Sequence, residues 1–416
     1  MKLKNLSILE FDEFAKSHPL GSYHQSSNYA LLASEQGFDY DMLGLIDDEG
    51  NIQASALILI KKIGFFNRYG YSPKGFLIDY YNPTLLKDFL DKIKKYYYKK
   101  NVAFIKINPE ISIGTLDYKN KKVIYNKNQM IESTLKGMNF RKLDGIKRFE
   151  SKLPVYNAIQ VLKTTNLKTI AKNTRNKINK SSRLGMKLVK GDRESIKILY
   201  KFIQKKKNYD INHYFNYFNA FSKNNSIDVF LVEIDFEECL LNLREKFEKE
   251  SERNEIIVNL VMNNPSKENL KRKMDSDNTL STISNSIVLA TNHLAKEKKS
   301  YIAGAITIKY KNRVSILISG YDKDFNTFCP NYFLHYELIK YYKEDYDYID
   351  LNGITGDFST DNPYRGLDEF KLSFNPLTFE YIGEFDFILN EGLYRSMDQS
   401  GQLAKEFQKK EKSIKN

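Results

Sequence analysis

Residues 301–320 have the sequence YIAGAITIKYKNRVSILISG, in which two runs of mostly apolar and β-branched residues flank a short polar turn. Such a pattern predicts a β-hairpin. Apolar residues at helical spacing follow the hairpin, and a short apolar run ending at Gly353 comes next, which predicts a helix and then a buried strand. The predicted elements are strands at 301–309 and 313–320, a helix at 331–343 and a strand at 348–352.

The same order of elements is predicted near the start of the chain, about 250 residues earlier. The predicted elements are strands at 42–46, 52–60 and 68–71, a helix at 84–100 and a buried strand at 102–108, closed by Pro109. A repeated order of hairpin, helix and buried strand predicts two related α/β domains. We place the first at 1–147 and the second at 148–236 and 299–416.

Residues 237–298, between the two repeats, are polar and helix-prone. Their apolar positions step by three and four residues, which is the heptad spacing of two helices packed against each other. Asn264 and Pro265 suit the start of a second helix. The pattern therefore predicts an antiparallel two-helix coiled-coil arm inserted in the second domain. An ordinary helical insertion packed on the body is the alternative.

The composition narrows the class of partner. Lys and Arg number 65 and Asp and Glu 52, so the formal net charge is +13, which favours nucleic acid, a phosphate-rich ligand or an anionic membrane face. The start of the chain reaches acidic residues before any apolar segment of signal-peptide length. Apolar runs stay well short of the ~18 residues that a membrane span needs. We therefore expect a cytoplasmic protein.

The motifs of common cofactors are missing from the sequence. The five histidines form neither an HExxH motif nor a pair three or four residues apart, and GxxxxGK[ST] and GxGxxG do not occur. An acetyl-CoA enzyme of the GNAT type needs a Q/R-x-x-G-x-G/A loop whose amides hold the pyrophosphate. Residues 69–80 and 319–332 do not supply that loop. We expect no metal, no CoA and no other cofactor.

Lys172 and Arg175 belong to a basic stretch at 163–183. In a helix they fall with Lys168 and Arg183 within a stripe of about 80°. Such a stripe suits contact with phosphate groups, and a solvated basic face explains it equally well.

Residues 353–374, GITGDFSTDNPYRGLDEFKLSF, directly follow the predicted buried strand at 348–352, where α/β folds place ligands. Glycines there permit close backbone approach, and Asp357, Asp361, Arg365 and Lys371 supply charges that orient a polar substrate. A structural loop with capping aspartates is the alternative.

Four segments together resemble the FemABX family of peptidoglycan interpeptide-bridge aminoacyltransferases. They are HPLGSYHQSSNYALLASEQGFDY (18–40), YSPKGFLIDYYNP (71–83), NTRNKINKSSRLGMKL (173–188) and GDFSTDNPYRGLDEFKLSFNP (356–376), in the family's order. The resemblance implies a fold of two GNAT-like domains. It also implies transfer of an amino acid from aminoacyl-tRNA to the side-chain amine of the third residue of a peptidoglycan stem peptide.

The resemblance also implies roles for individual residues. Phe370 and Lys371 match the family's Phe-Lys position near the acyl-tRNA end, where Lys371 would stabilise negative charge. Apart from the resemblance, Asp357 and Asp350 are the nearest carboxylates for proton transfer, and loss of the proton to water or to the tRNA ribose is the alternative. Asn108 stands where the family usually has Asp, and an amide cannot act as a base at neutral pH. The residues implied in substrate binding are Tyr71, Lys74, Asp79, Asn108, Lys172, Arg175 and Arg365.

The implied partners are aminoacyl-tRNA and a lipid-linked or nucleotide-linked peptidoglycan precursor. The positive net charge and the predicted coiled-coil arm favour the lipid-linked form, with peripheral contact at the inner face of the cell membrane. Two other interpretations stay open: a non-catalytic GNAT-like scaffold or binding protein, and an acyltransferase with a different acceptor. Amino acid selectivity can depend on a single methylene, so the sequence does not specify which amino acid is transferred.

Overall fold

The computed structural model describes residues 1–63, 67–204 and 209–407. The last nine residues of the predicted second domain, 408–416, lie outside the described residues. In chain order the strands are β1 Lys2–Asn5, β2 Asp39–Ile46, β3 Ile52–Ile63, β4 Asn67–Ser72, β5 Val102–Ile107, β6 Ser112–Asp117, β7 Lys122–Tyr125, β8 Phe140–Lys142, β9 Tyr156–Val161, β10 Met186–Gly191, β11 Ile227–Asp235, β12 Lys299–Tyr310, β13 Arg313–Tyr321, β14 Tyr348–Ile354, β15 Leu377–Tyr381 and β16 Phe385–Ile388.

The helices are distributed along the whole chain, with short 3₁₀ turns at Lys127–Gln129 and Lys323–Phe328. They are α1 Ile8–Ser17, α2 Ser27–Glu35, α3 Pro83–Tyr98, α4 Met130–Gly137, α5 Lys172–Ser181, α6 Ser195–Ile203, α7 Ile211–Ser222, α8 Phe236–Asn263, α9 Lys267–Leu294, α10 Pro330–Tyr342, α11 Arg365–Leu372, α12 Glu391–Gln399 and α13 Gln402–Phe407.

Helix α3 illustrates how the sequence sets these elements. The Asn82 side chain accepts a hydrogen bond from the Leu85 backbone N–H at 3.0 Å, and Pro83 occupies the first helical position. The predicted apolar face is buried, including Phe89 and Ile93. The helix therefore begins at its cap and packs one face on the first sheet.

The described strands form two sheets. The first has the order β1-β2-β3-β4-β5-β16-β8 and the second the order β10-β11-β12-β13-β14-β9-β15-β6-β7. In both sheets an antiparallel hairpin is followed by a crossover helix and a parallel strand, β4 with β5 and β13 with β14. The predicted mixed α/β fold is confirmed. Its division into two GNAT-like domains stays a prediction.

The two sheets exchange strands between distant parts of the chain. Strand β16 joins the first sheet between β5 and β8, and strands β6 and β7 join the second sheet through β15. The first sheet therefore contains a strand from after residue 147, and the second sheet contains two strands from before it. The predicted domain boundaries stay a prediction.

Helices α8 and α9 pack side by side and occupy most of the range predicted to be helical, 237–298, with α8 beginning one residue earlier. Asp235 caps α8 and Ser266 caps α9, and Asn264-Pro265-Ser266 connects the two helices. Leu240 and Leu243 of α8 and Ile283 and Ala290 of α9 are buried in the core of the second sheet. Coiled-coil packing of the pair stays a prediction.

Candidate functional site

A buried polar cluster lies where the two sheets meet. Glu110 follows β5 of the first sheet after Pro109, and Arg313 is the first residue of β13 in the second sheet. The Arg313 guanidinium donates to the Glu110 carboxylate, and the Tyr381 hydroxyl donates to the same carboxylate at 3.0 Å. Burial alone would raise the pKa of Glu110, but Arg313 and then Lys74 outweigh it and hold that pKa at about 2. Glu110 is therefore a fixed negative charge.

Lys74 enters this cluster from the turn after β4. Its backbone N–H donates to the Asn108 Oδ1 at 2.8 Å, and its ammonium lies 4.5 Å from the centre of the Tyr381 ring. The residue is buried, which lowers the pKa of its ammonium, and Glu110 and Asp350 act in the opposite direction. A cation between an aromatic face and carboxylates is held in one position.

The side-chain amide of Asn108 forms hydrogen bonds through both its oxygen and its nitrogen. Its amide nitrogen lies 3.2 Å from the Tyr71 hydroxyl and 3.5 Å from a Glu384 carboxylate oxygen. Glu384 is also buried, and burial raises the pKa of its carboxyl group. The carboxylate that position 108 lacks is thus present beside it, in a residue from the far end of the chain.

Asp350 lies where β14 last pairs with β13, opposite Ser315. Its carboxylate accepts from the Asn352 backbone N–H at 2.7 Å and from the Asn157 amide at 3.3 Å. Burial raises the pKa of this carboxyl group, although Arg313 opposes the effect. A buried carboxylate with a raised pKa accepts a proton more readily than an exposed one.

The segment 353–374 is built around a second polar network. The Thr355 backbone N–H donates to Asp368 at 3.0 Å, and the Asn362 amide donates to the Thr355 hydroxyl oxygen at 2.8 Å and to Asp368 at 3.2 Å. These three side chains are buried. The predicted loop is therefore a fixed turn that leads into α11.

Phe370 and Lys371 lie on α11, and the Lys371 side chain reaches back to the end of β14. The Lys371 ammonium donates to the Gly353 carbonyl oxygen at 2.6 Å, which fixes a positive charge three residues beyond Asp350. Phe370 packs edge-on against the rings of Tyr332 and His335 of α10. Burial lowers the pKa of His335 to about 4, so its imidazole is neutral at physiological pH.

Asp357 is held by its neighbours in the same turn. Its carboxylate accepts from the Ser359 backbone N–H at 3.0 Å and from Arg148 Nε at 2.9 Å. The Ser359 hydrogen bonds, followed by Arg148, lower the pKa of Asp357 to about 2. This residue is therefore a weak base, bound into the architecture of the turn.

The start of helix α5 contacts the segment that holds this second network. The Ala171 backbone N–H donates to the Ser373 carbonyl oxygen at 3.3 Å, so Lys172 begins its helix beside the end of α11. Lys172 is exposed, whereas Arg175 is partly buried and donates to the Leu167 carbonyl oxygen at 3.4 Å. Lys177 donates to the Tyr332 hydroxyl at 2.9 Å, which links this helix to the wall behind Phe370.

The structure thus gathers the predicted site residues into two groups connected by strand β14, which carries Asp350 of the first group and Gly353, the partner of Lys371, of the second. Two predicted residues lie outside both groups. Tyr71, Lys74 and Asn108 form one group, and Phe370, Lys371, Asp357, Lys172 and Arg175 lie in or beside the other. Asp79 and Arg365 are exposed. Asp79 accepts from the Tyr81 backbone N–H at 2.9 Å, and Arg365 pairs with Glu369 at 2.7 Å.

Four residues of this site are not among those predicted from the sequence: Glu110, Arg313, Tyr381 and Glu384. Glu110 stands directly after the predicted strand end at Asn108-Pro109, and Arg313 directly after the predicted hairpin turn. Their positions at strand ends were the available signal. Their contact joins residues 203 positions apart, which no local pattern reveals.

A groove of about 960 Å³ lies between α5, β10 and α10. Leu188, Phe333 and Tyr341 line it together with Lys187 and Lys340. Within residues 1–63, 67–204 and 209–407, His, Cys, Asp and Glu form no group of three or more suited to a metal ion. Among the helices in those ranges, none combines the length and apolar character needed to cross a bilayer.

The two-sheet α/β architecture matches a solved structure. The crystal structure of FemX aligns with 96% of this chain and 100% of its own, with a TM-score of 0.75 and 22% sequence identity. The family model described as the FemAB family matches residues 6–399. The chain belongs to the FemAB family, which confirms the resemblance that the four motifs carry.

Full-length relatives share about a quarter of their residues with this chain. The lipid II:glycine glycyltransferase of Staphylococcus epidermidis is 24% identical over 409 residues, covering 96% of this chain and 95% of the relative. The lipid II:glycine glycyltransferase of Staphylococcus aureus strain USA300 is 25% identical over 429 residues, covering 96% of each chain.

Proposed function

We propose that this protein is an aminoacyltransferase that builds the interpeptide bridge of peptidoglycan. The donor is aminoacyl-tRNA, and the acceptor is the side-chain amine of the third stem-peptide residue in a lipid-linked precursor. The observation that carries the proposal is the alignment of nearly the whole chain with relatives named lipid II:glycine glycyltransferase. Glycine is therefore the first amino acid to test.

The proposed reaction forms one bond and breaks another at the same carbon. The acceptor nitrogen attacks the ester carbonyl, the carbon–nitrogen bond forms, and the ester bond to the terminal ribose breaks. The enzyme must hold the two substrates together, receive the proton from the amine and stabilise the oxyanion. The ribose oxygen that leaves takes up a proton, so the amine proton is returned to it and the step ends with an amide and a free ribose hydroxyl.

Lys371 suits the role of oxyanion stabiliser. Its ammonium is anchored on the Gly353 carbonyl, so its charge does not need to reorganise when the ester oxygen becomes negative. Phe370, the residue before it, packs on α10 and offers an apolar surface beside that charge for the acyl-tRNA end.

Asp350 is a better proton acceptor than Asp357. The pKa of Asp350 is raised by burial, whereas hydrogen bonds from Ser359 lower that of Asp357 to about 2. Asp350 also lies in the cluster that contains Lys74 and Arg313, whose cations suit the phosphate or carboxylate groups of the precursor. We assign Asp350 to proton transfer and Asp357 to holding the turn.

The net charge of +13 and helix α5 support a tRNA donor. Lys172 is exposed at the start of α5, beside the end of α11, so phosphates of the acceptor stem could extend along that helix while the ester lies near Lys371. A lipid-linked acceptor would bring the protein to the inner face of the cell membrane as a peripheral protein.

The decisive experiment uses purified full-length protein, lipid-linked precursor and tRNA charged with labelled glycine, and follows label into the lipid fraction. Parallel reactions replace glycine by a mixture of labelled amino acids, or the lipid-linked precursor by its nucleotide-linked form. Transfer dependent on charged tRNA establishes the reaction and identifies the amino acid.

Other outcomes would replace the proposal. Tight binding of charged tRNA without transfer to either precursor would favour an acyltransferase with a different acceptor. Absence of tRNA binding and of transfer would favour a non-catalytic scaffold. Labelled acetyl-CoA serves as the matched control donor, and transfer from it instead of from tRNA would also contradict the proposal.

A further inference from the structure

Helices α8 and α9 form a hairpin with a fixed base and an exposed end. Each helix has 28 residues, which corresponds to a length of about 42 Å at 1.5 Å per residue. The base is anchored through Leu243 and Ala290 in the core of the second sheet. Residues 256–274, on both sides of the connecting turn, form the far end, which we call the hairpin tip.

The hairpin tip exposes large apolar side chains. Those more than 40% exposed are Ile256 at 63%, Leu260 at 44%, Met262 at 75%, Leu270 at 45% and Met274 at 65%. Single exposed apolar residues are ordinary on protein surfaces, but five of them within the nineteen residues at the end of a hairpin indicate a contact site.

Polar side chains meet in the seam just below the tip. The Asn254 amide donates to Asp277 at 2.8 Å, and the Ser276 hydroxyl donates to Glu250 at 2.7 Å. The outer half of the hairpin thus places polar groups between the helices while several of its largest apolar groups face solvent. This arrangement costs stability in water, so an apolar environment outside the tip would offset it.

The charge of the hairpin tip indicates which kind of partner fits it. Residues 256–274 contain four cations and one acid, 4 − 1 = +3. Arg272 pairs with Glu268 and Lys273 with Asp277, whereas Lys267 and Lys271 have no ion pair in the described part of the chain. A second copy would bring two tips of like charge together, and nucleic acid would leave the aliphatic side chains without a partner. An anionic lipid surface matches both properties.

We propose that the hairpin tip docks on an anionic membrane surface, with Met262 and Met274 entering the acyl boundary and Lys267 and Lys271 contacting lipid headgroups. The inference deepens the proposed function and rests on it for its purpose: the docked tip would hold the enzyme at the bilayer that carries a lipid-linked acceptor. Lysine side chains beside an inserted apolar group keep their charge at headgroup level.

The test measures sedimentation of the full-length protein with vesicles of phosphatidylcholine, with and without phosphatidylglycerol. We expect binding that requires phosphatidylglycerol and weakens with salt. Met262→Ser with Met274→Ser, and Lys267→Gln with Lys271→Gln, should each lower the partition coefficient at least ~10-fold. Leu241→Ser and Lys249→Gln are matched controls on the base half of α8, where both residues are exposed, and should leave binding unchanged.

Several results would overturn the inference. Tip variants that bind vesicles like the unaltered protein would remove the tip from membrane docking. Tip variants that bind vesicles normally but lose tRNA binding would make the tip a nucleic-acid contact, and a mass in light scattering that halves in the variants would make it an interface between copies.

Transfer assays separate this inference from the proposed function. We expect tip variants to lose transfer to lipid-linked precursor in vesicles and to keep transfer to the nucleotide-linked form. Failure of all transfer together with tip-dependent vesicle binding would contradict the proposed function and leave the docking site in place.

Discussion

Glu110 and Arg313 form an ion pair that joins the two sheets of the molecule. Glu110 follows the buried strand β5 of the first sheet, and Arg313 begins β13 of the second, 203 positions later. The Glu110 side chain is 11% exposed and that of Arg313 34% exposed. The pair lies beside Lys74 and Asp350, so it also sets the charge of the cluster proposed to receive the acceptor.

Removing Arg313 should destabilise the protein, because it leaves a buried carboxylate without its main partner. Breaking a fully buried pair costs about 3–5 kcal/mol. Because Arg313 is one-third exposed, we expect Arg313→Met to lower the free energy of unfolding in urea by about 2 kcal/mol. Arg365→Met, which breaks an exposed pair with Glu369, is the control and should cost under about 0.5 kcal/mol. Equal losses in the two variants would contradict the role of the pair.

Glu110 should also contribute to acid unfolding. Its pKa is about 2 in the folded protein, below the ordinary value of 4.5, so its stabilising contribution is present above pH 4.5 and is lost as the pH falls towards 2. The difference in unfolding free energy between the unaltered protein and Glu110→Gln should therefore shrink over that range. A difference that stays constant from neutral pH to about pH 3 would show that Glu110 does not titrate this way.

Local patterns predicted much of the fold, and distant contacts explain the rest. The hairpin at 301–320 and helices α3 and α10 follow from spacing within a few residues, and the structure has them close to the predicted bounds. Strand β16 pairs with β5 across more than 270 residues. Such pairing depends on the whole topology, so its four residues carry no local signal of their sheet.

The candidate site likewise has one part that a local motif predicted and another part that forms only through distant contacts. Lys371 lies in a segment of 22 residues, 353–374, which runs from the end of β14 through a turn into α11. The sequence motif and the local structure therefore coincide there. Glu384 becomes relevant only because folding places it beside Asn108. A carboxylate supplied from another part of the chain cannot be found from the missing Asp at position 108.

Lys371→Ala should lose turnover far more than tRNA binding. Removal of one preorganised charge from an oxyanion site costs about 10²–10³-fold in kcat, and Lys371→Arg should recover part of it because it restores the charge. Single-turnover transfer and filter binding of charged tRNA separate the two quantities. Thermal unfolding serves as the control, since the ammonium also holds the Gly353 carbonyl. Full turnover in the alanine variant would remove Lys371 from the mechanism.

Asp350 should give the transfer rate an acid limb. Its pKa is raised by burial, and only the deprotonated carboxylate accepts a proton, so the rate should rise with pH through that pKa. Asp350→Asn should lower kcat by about 10²-fold and abolish this limb. Asp357→Asn is the matched control, and its limb should persist because its own pKa of about 2 lies far below the assay range. An unchanged profile in Asp350→Asn would leave the proton to solvent or to the tRNA ribose.

Charge reversal on α5 should weaken tRNA binding through lost phosphate contacts. Lys172 is exposed beside the end of α11 and Arg175 is on the same helix, so Lys172→Glu with Arg175→Glu should raise the Kd for tRNA. Each lost contact should lower the slope of log K against log salt by about 1. Lys94→Glu, an exposed charge reversal on α3, is the control and should change neither quantity. Unchanged affinity and salt slope in the double variant at low salt would show that the basic stripe is a solvated face that does not contact tRNA.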